Sequence, residues 1–242
     1  ALADEVAALN SAVGEGARAE IVKALRTAFD HGRAELARRL AEAPSAGHEV
    51  TGGFSFLMDQ LLRVIHDHVT THLYPVPNRT QAERLAILAV GGYGRAEMAP
   101  HSDVDIAFIT PMRRAPWCEQ VIEAMLYLLW DLGLKVGHSS RTVSDTMRMA
   151  KEDLTIRTAL LESRLVWGDQ LLYEELRTRF WSDVAKGSER LFLTQKLAER
   201  DARHKRMGDS RYVVEPNVKD GKGALRDLQT LYWIGKYVHR VG

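Results

Sequence analysis

Cysteine is almost absent from this sequence: Cys118 stands alone among 242 residues. That excludes an internal disulfide and any multi-cysteine zinc site, and a reducing compartment, the cytoplasm, is the expected setting. No apolar run reaches the ~18 residues that a membrane-spanning helix needs. The opening residues, ALADEVAALNSAVGEG, lack the basic start and apolar middle of a secretory signal. An excess of charge of one sign is missing as well. Lysine and arginine number 33 against 32 acids, a formal net charge of +1. Composition therefore makes no case for nucleic acid or a membrane surface, and no stacking aromatic stripe lies beside a basic groove.

What is present is ordinary for a protein with a real core: 45% hydrophobic and 27% charged residues. The length suits one large domain or two smaller ones. The chain opens without methionine and stops at Gly242 soon after an apolar helical pattern, so we expect a piece of something longer.

The stretch from Leu85 to Ile109, LAILAVGGYGRAEMAPHSDVDIAFI, organises the rest. An apolar run ends at Gly91-Gly92, a turn follows, and a second apolar run opens with Asp103 and Asp105. Strand residues at i and i+2 share a face. Both carboxylates therefore project together, while Val104, Ile106 and Phe108 project the other way. Paired carboxylates repel unless a cation sits between them. Carboxylates suit magnesium, which typically rests on substrate phosphates. Glycines lack Cβ, so backbone at 91 and 92 can approach a phosphate chain closely. The combination points to nucleotidyl transfer.

Around this stretch the periodicity predicts helices over 17–43 and 54–73, with the Pro- and Gly-containing 43–53 as a loop. Strands are expected at 85–90, 103–109 and 134–141, and a short helix at 95–98. An amphipathic helix should run from Pro116 to Leu132 and end at Gly133. On the third strand, Lys135, Gly137, Ser139 and Arg141 share one face. Helices follow at roughly 143–151, 153–166, 168–181, 186–207 and from Leu225 onward. Met125, Trp130, Met147 and Trp233 read as core. The order implies an α+β fold: a small mixed-sheet core over 79–166, a helical N-terminal extension over 1–78 and a helical domain over 167–242. A Gly-Lys-Gly loop at 221–223 precedes the last helix, and the stretch Arg203 to Arg206 reads as a solvated helix end.

GGYGRAEMAPHSDVDIAFI resembles the nucleotidyltransferase domain of bacterial PII uridylyltransferase/uridylyl-removing enzymes, within the DNA-polymerase-β-like superfamily. LLWDLGLKVGHSSRT, LTIRTALLESRLVWGD and VVEPNVKDGKGALRDLQ continue the likeness in the family's order. The resemblance implies a reaction: UTP donates UMP to a tyrosine of the small signalling protein PII and releases pyrophosphate. It implies Mg2+ held by Asp103 and Asp105 as the catalytic pair, and triphosphate held by Gly91 and Gly92, with Arg95 and Ser102 as further phosphate contacts. It implies a hydrolase domain and two glutamine-sensing domains elsewhere in such proteins. Two alternatives stay open: transfer of another nucleotide, such as AMP, to a protein or small molecule, and a non-catalytic domain that binds nucleotide or PII. The family usually has glycine where Ala96 stands, which is tolerable for alanine at negative φ. The third strand offers no acid beside the aspartate pair, so no third carboxylate is assigned; Asp145 and Asp153 are the remaining candidates. Gly137-His138-Ser139 and Arg141 either line the nucleotide or pack as a polar strand end. The motif from Glu215 to Asp227 reads as structural, with Lys222 and Arg226 as possible nucleotide contacts. His66-Asp67 reads as inconsequential surface.

Overall fold

The computed structural model describes residues 2–12, 17–208 and 215–240. Backbone contacts group the chain into two units: Ala1–Val143 with Glu162–Glu175, and Ser144–Leu161 with Leu176–Gly242.

The first unit holds the sheet. Its strands are β1 (Ala86–Ala89), β2 (Val104–Thr110), β3 (Val136–Thr142) and β4 (Arg164–Gly168), in the spatial order β3-β2-β1-β4. β1 runs antiparallel to β2 and β4, and β2 runs parallel to β3. This is the expected α+β mixed sheet, with one strand more than the periodicity predicts. The segment 164–168 is strand, where a helix was expected to run to 166. Five residues are too short for a helical period to be told from a strand period, and only pairing with β1 decides it.

One face of the sheet carries Ile87, Ala89, Val104, Ile106, Phe108 and Val166 into an apolar core. The core is completed by α1 (Leu2–Ala12), α2 (Ala17–Glu42), α3 (Gly47–His68) and α5 (Pro116–Asp131). The 43–53 stretch is not a loop. After a short turn at Pro44–Ala46 it forms the first turns of α3. Gly53 in this stretch and Gly32 on α2 serve helix packing instead of punctuation: a Cβ on Gly53 would lie 2.5 Å from Leu36 Cδ2, and one on Gly32 would lie 2.7 Å from Leu57 Cδ1.

Two expected roles change with burial. Trp130 is exposed, not core, and sits edge-on to the rings of Tyr127 and His138. His66 is buried, and its Asp67 neighbour accepts hydrogen bonds from His66 Nδ1 and Trp167 Nε1, both at 3.1 Å. That dipeptide is part of the fold and not idle surface.

Behind β4, Asp169 starts α8 (Gln170–Arg179) by accepting the Leu172 N–H at 2.9 Å. It also takes a bidentate pair from Arg84 at 2.7 and 2.9 Å. The Arg84 guanidinium, helped by that N–H, outweighs burial and holds the carboxyl below the ordinary aspartate value. An acid whose folded pKa is depressed stabilises the fold above its unfolded value, and that stability is lost as pH falls through the folded value. Asp169→Asn keeps a capping oxygen but loses the ionised pairing with Arg84, and should cost about 1 kcal/mol near neutrality, with the deficit shrinking in acid. Denaturant unfolding of both proteins across that range measures it.

The second unit is helical among its described residues. Most of α6 (Val143–Glu152) belongs to it, with α7 (Leu154–Leu161), α9 (Glu189–Arg206) and α10 (Leu225–His239). Tyr237 stacks on Phe192 with ring centroids 3.9 Å apart, and its hydroxyl meets Ser188 Oγ at 2.8 Å. Asp153 caps α7 through the Thr155 N–H at 2.6 Å, a structural duty.

The motif ending in Asp227 is a knot. Asp227 takes the Gly223 N–H at 2.7 Å, His204 Nε2 at 2.9 Å and the Arg203 guanidinium. Arg203 and His204 are accordingly buried, so only the rest of the 203–206 stretch behaves as a solvated helix end. Arg226 lies over the Trp233 ring and bonds Gln229. Residues 212–214, just ahead of that motif, where the chain is expected to run extended, lie outside the described residues.

Candidate active site

The site is built where β1 ends. Val90 donates its N–H to the Asp105 carbonyl at 3.1 Å, which carries the β1–β2 register one residue further. Gly91 then adopts φ +61°, a left-handed conformation that suits glycine. The chain tightens into one helical turn, α4 (Gly91–Gly94). The first amides of such a turn have no intrahelical acceptor and point outward. The diglycine thus opens the turn itself, and the short helix expected at 95–98 lies four residues earlier, at 91–94.

Asp105 projects from β2 on the face away from the helical core, as the alternation requires. Its surroundings are specific. A Cβ on Gly91 would lie 3.3 Å from Asp105 Oδ2, and a Cβ on Gly137 would lie 2.5 Å from Asp105 Oδ1. Gly137 is the residue paired with Asp105 across the parallel β2–β3 ladder. The carboxylate therefore occupies a slot between two missing side chains. Asp103 stands one residue before β2, where Val104 donates to the Lys135 carbonyl at 2.8 Å. Among the described residues no cationic side chain pairs with either carboxylate. Partial burial, then the charge of Asp103, push the Asp105 carboxyl above its ordinary value.

A carboxylate that feels a neighbouring like charge and has no cationic side chain beside it calls for a cation. Among the described residues no group of three or more His, Cys, Asp or Glu could hold one by itself. The donor set fits a hard divalent ion that takes its remaining ligands from phosphate and water, and not an all-protein cage.

The other expected contacts separate. Ser102 closes a tight turn: its Oγ accepts the Ala99 N–H at 3.1 Å while its own N–H bonds the Ala99 carbonyl at 3.0 Å. Arg95 is already engaged, with Nε on Glu97 at 2.7 Å and Nη1 on Glu162. Burial alone would lower the Arg95 guanidinium, but hydrogen bonds and charge from Glu97 and Glu162 leave it raised. His138 pairs with Ile106 in the ladder and turns toward Trp130, on the opposite face from Asp105. It does not line the aspartate side.

Ala96 departs from expectation. Its φ is +59°, not negative. An L-residue in that region costs ~1–2 kcal/mol, part of which returns as lost chain entropy when glycine replaces it. Ala96→Gly should raise the melting temperature by a few degrees, roughly 0.5–1 kcal/mol, read by calorimetry.

Residue-by-residue reasoning missed Gly137 as the wall of the slot, and Glu162, Arg164 and Asp59 altogether. Gly137 entered only within a group that either lines the nucleotide or packs as a polar strand end, and not as room for Asp105. The 162–164 signal lay inside what reads as a helix.

A strand, a diglycine turn and a following Asp-x-Asp strand on an α+β sheet are the arrangement of a nucleotidyltransferase. The chain belongs to the family described as "Putative nucleotidyltransferase DUF294", whose model matches residues 29–151. A second model, "GlnD PII-uridylyltransferase", matches residues 191–242. Membership in a nucleotidyltransferase family points to divalent-metal use. The chain is 70% identical, over 99% of its length, to the bifunctional uridylyltransferase/uridylyl-removing enzyme of Erythrobacter litoralis. It is 64% identical over 100% of its length to the enzyme of that name from Novosphingobium aromaticivorans, and 54% identical over 93% to that of Rhodospirillum rubrum. It covers 26%, 26% and 24% of those relatives, so it spans about a quarter of their length. No helix among the described residues is long and apolar enough to cross a membrane.

Proposed function

We propose that this chain carries the transferase site for moving UMP from UTP to a tyrosine hydroxyl of a PII signalling protein, with magnesium as the divalent ion. The tyrosine oxygen attacks the α-phosphorus. The bond from that phosphorus to the pyrophosphate oxygen breaks, and the phenolic proton leaves to solvent. Magnesium, when bound, would neutralise phosphate charge and lower the pKa of the attacking hydroxyl.

The protein's own part is placement. Asp103 and Asp105 are the residues that would hold the ion. The amides at Gly91 and Gly92 receive the β and γ phosphates at the mouth of α4. Ser102 uses its Oγ lone pair on Ala99, which leaves its hydroxyl proton for a phosphate oxygen. Arg95, clamped beside the turn, presents its remaining guanidinium nitrogen without having to reorganise.

The observation that carries this reading is the slot: a strand carboxylate seated between Gly91 and Gly137, paired with no cationic side chain among the described residues. The substrate assignment is supported by the names of the relatives. Purified protein, PII and magnesium are incubated with each of the four ribonucleoside triphosphates labelled at the α-phosphate. Label should move to PII from UTP alone. Transfer from ATP and not UTP would sink the uridylyl assignment.

A further inference from the structure

Three residues after α7, Glu-Ser-Arg at 162–164, grip the turn that opens at the diglycine. Gly94 lets the backbone of Glu162 come close: a Cβ there would lie 2.2 Å from the Glu162 carbonyl oxygen and 3.0 Å from that of Ala89. Arg164 makes a bidentate pair with Asp59 at 2.7 and 3.0 Å, and Asp59 also accepts the Tyr93 hydroxyl at 2.7 Å. Tyr93 is thereby locked by a buried carboxylate.

The Glu162 carboxylate is only 4% exposed and is paired with Arg95 Nη1, whose side chain is 13% exposed. Glu97 holds Nε of the same guanidinium, and its own N–H bonds the Gly92 carbonyl at 2.9 Å. Nε and Nη1 of the guanidinium are thus each held by a carboxylate. The third nitrogen, Nη2, would lie 3.7 Å from a Cβ on Gly92. Among the described residues nothing is bonded to it, and it is not among the buried polar atoms left without partners. It is reachable, and it faces the diglycine.

We infer that Glu162 is a positioning residue: acting through Arg95, it aims the free guanidinium nitrogen at the phosphate chain held by Gly91 and Gly92. This rests on the nucleotidyl-transfer reading above. The role is one of aim, not net charge, because Glu97 and Glu162 together outweigh the single positive charge of Arg95. A planar guanidinium held at two of its nitrogens offers the third at a set angle, which a lysine ammonium cannot do. Loss of the clamp should weaken triphosphate binding and leave Asp103 and Asp105 intact, so KM rises while kcat changes little.

The test measures binding of magnesium tripolyphosphate to the full chain by calorimetry, with KM and kcat for UTP alongside. Glu162→Gln should weaken tripolyphosphate binding and raise KM by about tenfold, with kcat within about threefold of the parent. Arg95→Met should weaken binding at least as much, and adding Glu162→Gln to it should change binding by less than about twofold. Arg95→Lys leaves Glu162 in place and should show the same loss, which keeps the test available if Glu162→Gln does not fold. Unchanged binding in Glu162→Gln or Arg95→Lys overturns the inference. So do losses that multiply in the double variant, a kcat that falls with KM constant, or a parent protein that binds no tripolyphosphate. A parent that binds tripolyphosphate with this pattern yet transfers no nucleotide overturns the proposed function and leaves the clamp standing.

Discussion

Asp105→Asn is expected to lower transfer by roughly three orders of magnitude or more, since a carboxylate that holds the ion supplies several kcal/mol of charge stabilisation in the transition state. The same substitution should not weaken the fold. The Asp105 carboxyl is pushed above its ordinary value by burial and by Asp103. A carboxyl with a raised folded pKa binds its proton more readily in the native state than in the unfolded one. Stability therefore falls as pH rises from the ordinary value through the raised one, and the penalty is fully present above it. Near neutrality, metal-free Asp105→Asn escapes that penalty and should melt at or above the temperature of the parent. The gap should close in acid, where the parent carboxyl is protonated. Added magnesium should raise the melting point of the parent and leave the variant where it was. Retained transfer, or a variant that melts well below the parent, would contradict the placement of Asp105.

Gly137→Ala is the second large effect. Its Cβ would arrive 2.5 Å from Asp105 Oδ1, well inside contact distance. Something must move, and the mobile party is the Asp105 side chain, which stands at the exposed surface of β2. A displacement on the order of 1 Å at a reacting centre costs about a hundredfold. The expected result is a loss of that size in kcat/KM. The fold cost should be about 1 kcal/mol, because the strain relaxes into solvent instead of into a packed core. Ser140→Ala, one methyl-sized change on the opposite face of β3, is the control and should stay near parent activity. A Gly137→Ala protein with full activity would mean that the carboxylate works from another rotamer and that the slot is incidental.

Much of this was legible in the chain itself, for a definite reason. The alternation from Asp103 to Ile109 depends only on the period of a strand, so the face of each carboxylate could be read without coordinates. The helices α2, α3 and α5 were legible from spacing that repeats every turn. Where expectation failed, local period was the wrong measure. The stretch 43–53 carries turn residues, yet α2 and α3 need glycines to approach each other. The stretch 164–168 is too short to declare itself, and it became a strand because the edge of β1 was open to it. Ala96 took a positive φ because the turn geometry overrode its own preference.

The sequence by itself determined that Asp105 points away from the apolar face of a strand that follows a diglycine turn. Only the tertiary structure decided that Gly137 leaves room for that acid, and that Glu162 and Arg164 close on the turn. Periodicity reports which way a side chain points within its own element. It carries nothing about a partner 67 positions along the chain, the separation of Arg95 and Glu162, which only folding makes neighbours.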